Sequence, residues 1–471
     1  MKPNPLIPCG AVALVALCLV PSARASDVGK RYPSEMRTFV DKVTGMTVTA
    51  LTTSSFSDAK PYQTHTTWTS DGKWIIFRSN RSGANAQAFL INETTGEIVQ
   101  LTDGPNTGTG SLNLSRKSMK LYFMRGGPSF RPETQAPAGP PPPRQLIELN
   151  LEPLLADSRA GTMKEAATYE RLVATLPDDL RDAGGFALDA DETKIYWGVG
   201  WGPLPPNPPS RAELAVRGAA DGATEAAARS QIDQRNTNPA EAREAARQRF
   251  ATLGRGPGGL RSIDLKTGEM KTVIDVDFRM GHVQCNPWVP GEIIYCHETT
   301  GDAPQRMWTV MGDGTHNRPL YVETPDEWIT HETVATRDEV MFLILGHLPY
   351  LRTHPTGIAV INLRNDQMKI LGQVEENTGV GRGTGGFWHC NGSPDGRWAV
   401  GDTFAGNIYV IDRHNGRMTL LTTDHKMRPD HTHPIFSPDS KRILIQSGLF
   451  SDGKNLNLMV VALPEWLQNS G

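Results

Sequence analysis

Seven short apolar runs rich in aromatic and β-branched residues punctuate the chain: "KWIIFRS", "MKLYFMR", "TKIYWGV", "GEIIYCH", "DEVMFLIL", "GRWAVGDT" and "KRILIQS". Each follows a polar turn, and each turn follows a shorter strand-like stretch, which is the signature of a β-hairpin. Aligned on the turn, the repeats begin near residues 65, 111, 185, 282, 331, 389 and 433. A second hairpin stands behind most of them, as in "AFLINETTGEIVQLT", "GLRSIDLKTGEMKTVI", "MWTVMGDGTHNRPLY" and "IYVIDRHNGRMTLLT". Four strands per unit and seven units predict an all-β fold, a seven-bladed β-propeller, over residues 26–471 as a single domain. The shortest repeat intervals match the usual blade length of about 40 to 50 residues.

Two intervals are longer because they carry insertions. Residues 127–144, "GPSFRPETQAPAGPPPPR", read as an extended Pro-rich loop, and residues 201–259 combine "WGPLPPNPPS" with an Ala-, Glu- and Arg-rich stretch that predicts a surface helix. The ring also predicts its own closure. "TGMTVTALT" (44–52) looks like an outermost blade strand with no blade before it, while the last unit stops at its third strand, "NLNLMVVAL". The N-terminal strand is therefore expected to complete the C-terminal blade and remove the free sheet edges.

The first 25 residues contain Lys2, an apolar run of about fifteen residues and an Ala23-Arg24-Ala25 cleavage pattern, which reads as a signal peptide. The run is short of the roughly 20 residues a membrane span needs, so a periplasmic or secreted protein with no membrane association after cleavage is expected. With 48 basic and 51 acidic side chains in 471 residues, and no polybasic tract, nothing points to nucleic acid. Three cysteines lie beyond the leader, Cys285, Cys296 and Cys390. They form no CxxC pair, and a single bridge between Cys285 and Cys296 across a hairpin is one arrangement open to them. Oligomeric state is not legible.

Chemistry enters with the histidines. The first position of the aligned repeats is His65, Ser111, Gly185, His282, His331, His389 and His433, five histidines in seven although the whole chain holds only 12. In a propeller this position begins the innermost strand, so the repeats place a histidine-rich rim at one end of the channel. His431, two residues before His433, faces the same way. Neutral imidazole is a common metal ligand, and the His431-x-His433 pair with His389 from the adjacent blade offers the three nitrogens of a metal site. Neither a GxSxG elbow nor a phosphate-binding GxxxxGK[ST] loop occurs. A cation beside an uncommitted imidazole suits proton abstraction next to a carboxylate, the chemistry of β-elimination on a uronate. The competing reading is a non-catalytic propeller that binds a protein or glycan. His297 on a second strand reads as a satisfied polar residue, and His316, His347, His354, His414 and His425 as solvated loop side chains. "GVGRGTGG" (379–386) reads as a blade connection.

"KRYPSEMRTFVDKVTGMTVTALT", "GHVQCNP" with "CHE", "RMW", "EWITHE", "WHCNGSPDGRWAVGD" and "HTHPIFSPD", in this order, resemble the oligogalacturonate lyases, seven-bladed propeller polysaccharide lyases. The resemblance covers nearly all of the chain outside the two insertions. It implies β-elimination of short galacturonides; a lyase acting on another uronate polymer, such as ulvan, is an alternative reading. It also implies a divalent cation, manganese first with zinc or calcium as alternatives. The metal ligands would be His389, His431 and His433, the Brønsted base His331, and Arg306 a holder of substrate carboxylate. His65, His282 and Arg382 are further substrate-contact candidates. Where the family carries a ligand glutamine, three residues before the first histidine of the HxHP pair, this chain has Arg428. A guanidinium cannot ligate a metal, so the shell is completed by another group or Arg428 faces the substrate.

Overall fold

A computed structural model describes residues 26–83, 85–127, 142–202, 254–299, 303, 305–323, 327–344, 357–374, 376–377 and 384–468. Residues 1–25, read above as a signal peptide, residues 128–141 of the Pro-rich insertion, most of the second insertion, His347, His354 and Arg382 lie outside the described residues.

Among the described residues seven antiparallel blade sheets follow one another along the chain, as the repeats predict, with a two-stranded sheet, Glu376–Asn377 against Thr384–Gly385, between the fifth and sixth. Blades 2 to 6 are four-stranded meanders in simple sequential order, and blades 1 and 7 have five strands. Blade 4, for example, runs Met280–Cys285, Glu292–His297, Met307–Met311, Arg318–Pro319 from the channel outwards. The second strand of each blade is the apolar run seen in the sequence. Sheets packed on both faces bury such runs whole, and Trp74, Ile75, Ile76 and Phe77 are all buried. The core is a series of clusters between neighbouring blades, such as Phe342 and Ile344 of blade 5 with Ile294 and Met307 of blade 4.

The closure is as expected: Thr47–Ala50 pairs with Asn457–Ala462, Val48 opposite Val461. Arg37–Val40 adds a fifth strand outside it, and Arg31–Tyr32 does the same for blade 1. A ten-residue helix, Leu151–Ala160, interrupts blade 2 and buries Leu151 and Leu154 under it. This helix has no counterpart in the repeat pattern.

The Cys285–Cys296 bridge does not form, and all three described cysteines are free and buried. The register explains why. Cys285 stands opposite Ile293, three residues from Cys296 on the partner strand, so the two are offset by about 10 Å along the hairpin, beyond disulfide reach.

Two buried polar features carry stability. Arg81 donates to Asp58 at 2.7 Å and to Glu35 at 2.9 Å, tying blade 1 to the N-terminal segment. Asp58 has no solvent access, so Arg81→Ala should cost about 3–5 kcal/mol, read as a lowered urea midpoint. His425 corrects its sequence reading as a solvated loop residue. It is 3 % exposed, with Nδ1 3.0 Å from Ser447 Oγ and Nε2 2.8 Å from Thr422 Oγ1. Burial lowers its pKa to about 4. The unfolded chain therefore takes up this proton first, and stability present above the ordinary value of about 6.5 is lost as pH falls towards 4. The loss is on the order of 3 kcal/mol. Thermal melts between pH 7 and pH 4 should show it, and His425→Gln should flatten that slope.

Candidate active site

The innermost strands do not enter the channel as regular β-structure. His282, His331 and His433 adopt left-handed backbone, with φ of 48°, 55° and 45°, and Gly185 at the equivalent repeat position has φ 74°. Register shifts accompany them between Gly281 and Gln284 and between Thr330 and Thr333. A bulge with a positive-φ residue re-aims its side chain, and for a non-glycine residue it costs on the order of 1–3 kcal/mol. The same strained turn in blades 4, 5 and 7 thus points imidazoles at the rim.

The rim histidines gather as the repeats predict. Ring centroids lie 4.0 Å apart for His389 and His433, 5.3 Å for His389 and His431, and 4.2 Å for His331 and His389. His389 is 1 % exposed and its Nδ1 lies 3.1 Å from the fully buried Asp402, which leaves Nε2 as the nitrogen that faces away from this carboxylate. Asp402 also accepts the His389 backbone N–H at 2.7 Å, the Thr432 hydroxyl and the His433 N–H at 3.3 Å, joining blade 6 to blade 7. Nδ1 of His431 is buried without a partner. His433 places Nδ1 3.0 Å from Gln63 Oε1 and Nε2 3.3 Å from Asp430 Oδ1. This donor set fits a cation: three imidazoles, one already oriented by a carboxylate. Their nitrogens do not yet converge, however. Among the described residues, the group whose ligand atoms all lie within 4.8 Å is His282, Cys296 and Glu298. There the Arg306 guanidinium, 3.8 Å from Glu298, opposes a second cation.

His331 lies in the middle of the rim, against Tyr62 and His389. Its Nδ1 is 2.7 Å from the Tyr62 hydroxyl, while its Nε2 is shielded and unpartnered. Burial first, then the neighbouring His389 and Arg306, hold its pKa well below the ordinary imidazole value, so it is neutral at pH 7. Arg306 is buried, with Nε 3.1 Å from Glu332. Its guanidinium is thus partly neutralised, and any hold on substrate is shared with two carboxylates. His282 sits between the same carboxylates, 3.5 Å from Glu298 and 3.5 Å from Glu332.

His65 stands apart. Thr64 Oγ1 at 2.8 Å and the Phe186 carbonyl at 3.0 Å occupy both its ring nitrogens, so its visible role is to join blade 1 to blade 3. His297 is satisfied by the Gly254 carbonyl at 2.9 Å. Arg428 is exposed and contributes positive charge beside His431. A cavity of about 340 Å³ in the channel is lined by Gln63, His65, Arg116, Trp288 and Phe436, but by none of the other rim histidines.

Sequence reasoning missed the loop that completes the site. The inner strand of blade 1 is broken after Asp58–Ala59, resuming only as a bridge at Trp68. Residues 60–66 turn into the channel instead. Tyr62 packs edge-on against His282 and His433, both 5.1 Å away, and touches His331. Lys60 is buried, donates to the Pro61 carbonyl, and has its pKa lowered to about 7 by desolvation, which Asp430 and Asp402 oppose. Asp402 was within reach of the sequence, because it faces His389 across a symmetric hairpin. Nothing in the repeat marks Tyr62.

No protein-family model matches the chain. It is 23% identical over 451 residues to an oligogalacturonate lyase of Dickeya dadantii, covering 90% of this chain and 96% of that one. Against an oligogalacturonide lyase of Pectobacterium atrosepticum the identity is 22% over 441 residues, with the same coverage. Among solved structures, an oligogalacturonate lyase in complex with manganese superposes with a TM-score of 0.68 at 21% identity, covering 94% of this chain and 100% of that one. An oligogalacturonate lyase from Vibrio parahaemolyticus gives 0.66 at 19%, covering 93% and 99%. The seven-bladed fold is thus shared along the whole length of these proteins.

Proposed function

We propose that the chain is a metal-assisted polysaccharide lyase that cleaves oligogalacturonides by β-elimination, leaving a 4,5-unsaturated uronate. The observation that carries this reading is the pairing of a neutral, shielded imidazole, His331 Nε2, with three histidines gathered one ring away. The full-length similarity to oligogalacturonate lyases supports the substrate class. A divalent cation held by His389, His431 and His433, manganese on the likeness to the manganese-bound relative, would supply charge to the uronate carboxylate and acidify C5–H.

The protein's own groups do the rest. With His331 Nδ1–H donating to the Tyr62 oxygen, the ring's lone pair lies on Nε2, which would take the C5 proton. Arg306, steadied by Glu332, meets the substrate carboxylate with His282 beside it. The C4–O bond breaks as the C4=C5 double bond forms, and the departing oxygen takes up a proton from solvent. The leader-like N-terminus supports action in the periplasm or outside the cell on imported or external oligomers.

Purified protein incubated with a panel of oligogalacturonides and other oligouronides should raise ultraviolet absorbance from the unsaturated product. No rise on any of them, with Mn²⁺ supplied, would overturn the assignment. Tyr62→Phe should lower kcat by about tenfold or more with KM little changed, because the hydroxyl orients the base rather than the sugar.

A further inference from the structure

We infer that the far half of the channel is a second binding site, separate from the histidine rim, for a small carboxylate-bearing ligand the size of a single sugar acid. It needs neither the metal nor the lyase reading. Each inner strand starts at the rim and ends at the turn into the second strand. The cavity of about 340 Å³ is lined by such turns, at Pro287, Pro394 and Pro438, so it lies towards the opposite face. Gln63, 1 % exposed, stands between the two chambers. Its side-chain oxygen lies 3.0 Å from His433 Nδ1 on the rim side, and its carbonyl accepts from the Asn391 amide, part of the cavity wall, at 3.2 Å.

Arg116 supplies the charge. It acts electrostatically on His65 and Cys285, and all three line the cavity, so its guanidinium stands inside. Water reaches the side chain, yet desolvation by the surrounding wall lowers its pKa. Little opposes that. Among the described residues no Asp or Glu lines the cavity, and burial raises the Cys285 thiol well above its ordinary value, so it is neutral at pH 7. Glu192 acts on Arg116 but is engaged elsewhere, accepting the backbone N–H of Arg116 at 2.7 Å and of Lys117 at 3.2 Å and the Ser115 hydroxyl. Arg81 and Arg306, also walled in by protein, are paired with Asp58 and Glu332. Among the described residues Arg116 closes no such ion pair, so a carboxylate entering the cavity would meet an unshared guanidinium fork. Thr66 and Ser70 add hydroxyls, and Trp288, 37 % exposed, adds an aromatic face for the apolar side of a sugar ring. The volume is near the lower end of the range for small-molecule sites, about 300 to 1,000 Å³, which admits one ring and excludes a chain.

Calorimetric titration of galacturonate, acetate and galactose into the metal-stripped full chain tests this. Galacturonate should bind tightest, acetate weakly and galactose not measurably. Arg116→Gln should weaken galacturonate binding at least tenfold and Arg116→Lys less. The melting temperature and the rate of unsaturated-product formation should stay as in the parent, because no bond of the guanidinium is lost. Trp288→Ala should weaken galacturonate and leave acetate alone. Galacturonate bound equally by the parent and Arg116→Gln, or by neither, would overturn the site. Galactose binding as tightly as galacturonate would overturn the part given to the carboxylate, and a Trp288→Ala variant that binds galacturonate like the parent would overturn the sugar. A chain with no lyase activity whose galacturonate binding still falls in Arg116→Gln would remove the lyase reading and leave this site in place.

Discussion

His331→Ala should reduce the rate of unsaturated-product formation by on the order of 10²- to 10⁴-fold, the usual contribution of a positioned base. The loss should fall on kcat, because the ring contacts Tyr62 and His389 but is not among the residues assigned to hold the cation. Mn²⁺ titration of the variant should therefore match the parent, which separates a lost base from a lost metal site. Relief of backbone strain adds a second signature. Residue 331 has φ 55°, so His331→Gly should be at least as stable as His331→Ala, contrary to the usual penalty for glycine in a strand. Full activity in His331→Ala would remove the base assignment and leave the fold and the cation site untouched.

Removing the cation should have an effect as large. Dialysis against a chelator should bring activity to background, and added Mn²⁺ should restore it. The same titration should raise the melting temperature, since an ion at 100 times its Kd stabilises the folded chain by about 2.7 kcal/mol. The stabilisation should be marked here because the ligands span blades 6 and 7 and close a gap between rings that touch without converging. Asp402→Asn should reproduce part of the loss by letting the His389 ring change its tautomer, at a cost of roughly 10- to 100-fold in metal affinity. A chelated enzyme that keeps its full rate would sink the metal-assisted mechanism.

The architecture could be read from the chain because a propeller repeats one pattern, and each repeat is an independent vote for hairpin geometry. The rim could be read for the same reason: equal phase in the repeat means equal height in the channel, which brought His282, His331, His389 and His433 together correctly. What the repeat could not carry is whatever breaks it. The phase that put His65 on the rim assumes that blade 1 follows the others, yet its inner strand is interrupted and His65 turns to the Phe186 carbonyl. Tyr62, Gln63 and Lys60 lie in that interruption, where no periodicity applies. Glu332 was visible as a residue, but its role depends on a side-chain direction set by the bulge between Thr330 and Thr333. His425 failed for a simpler reason: a loop that folds back under a blade buries what a linear reading leaves in water.

The way the ring closes bears on how the protein is made. Tyr62 meets His331 269 positions later in the chain, Gln63 meets a histidine 370 positions later, and the strand bearing Val48 waits for Val461 to emerge. During synthesis the ribosome must therefore release almost the whole polypeptide before the first and last blades can meet. Contacts of such separation form late, because the loops they close are the most costly in entropy. Catalytic competence is accordingly the final event of maturation, and a nascent, truncated or unclosed chain presents a scaffold of blades without a working centre.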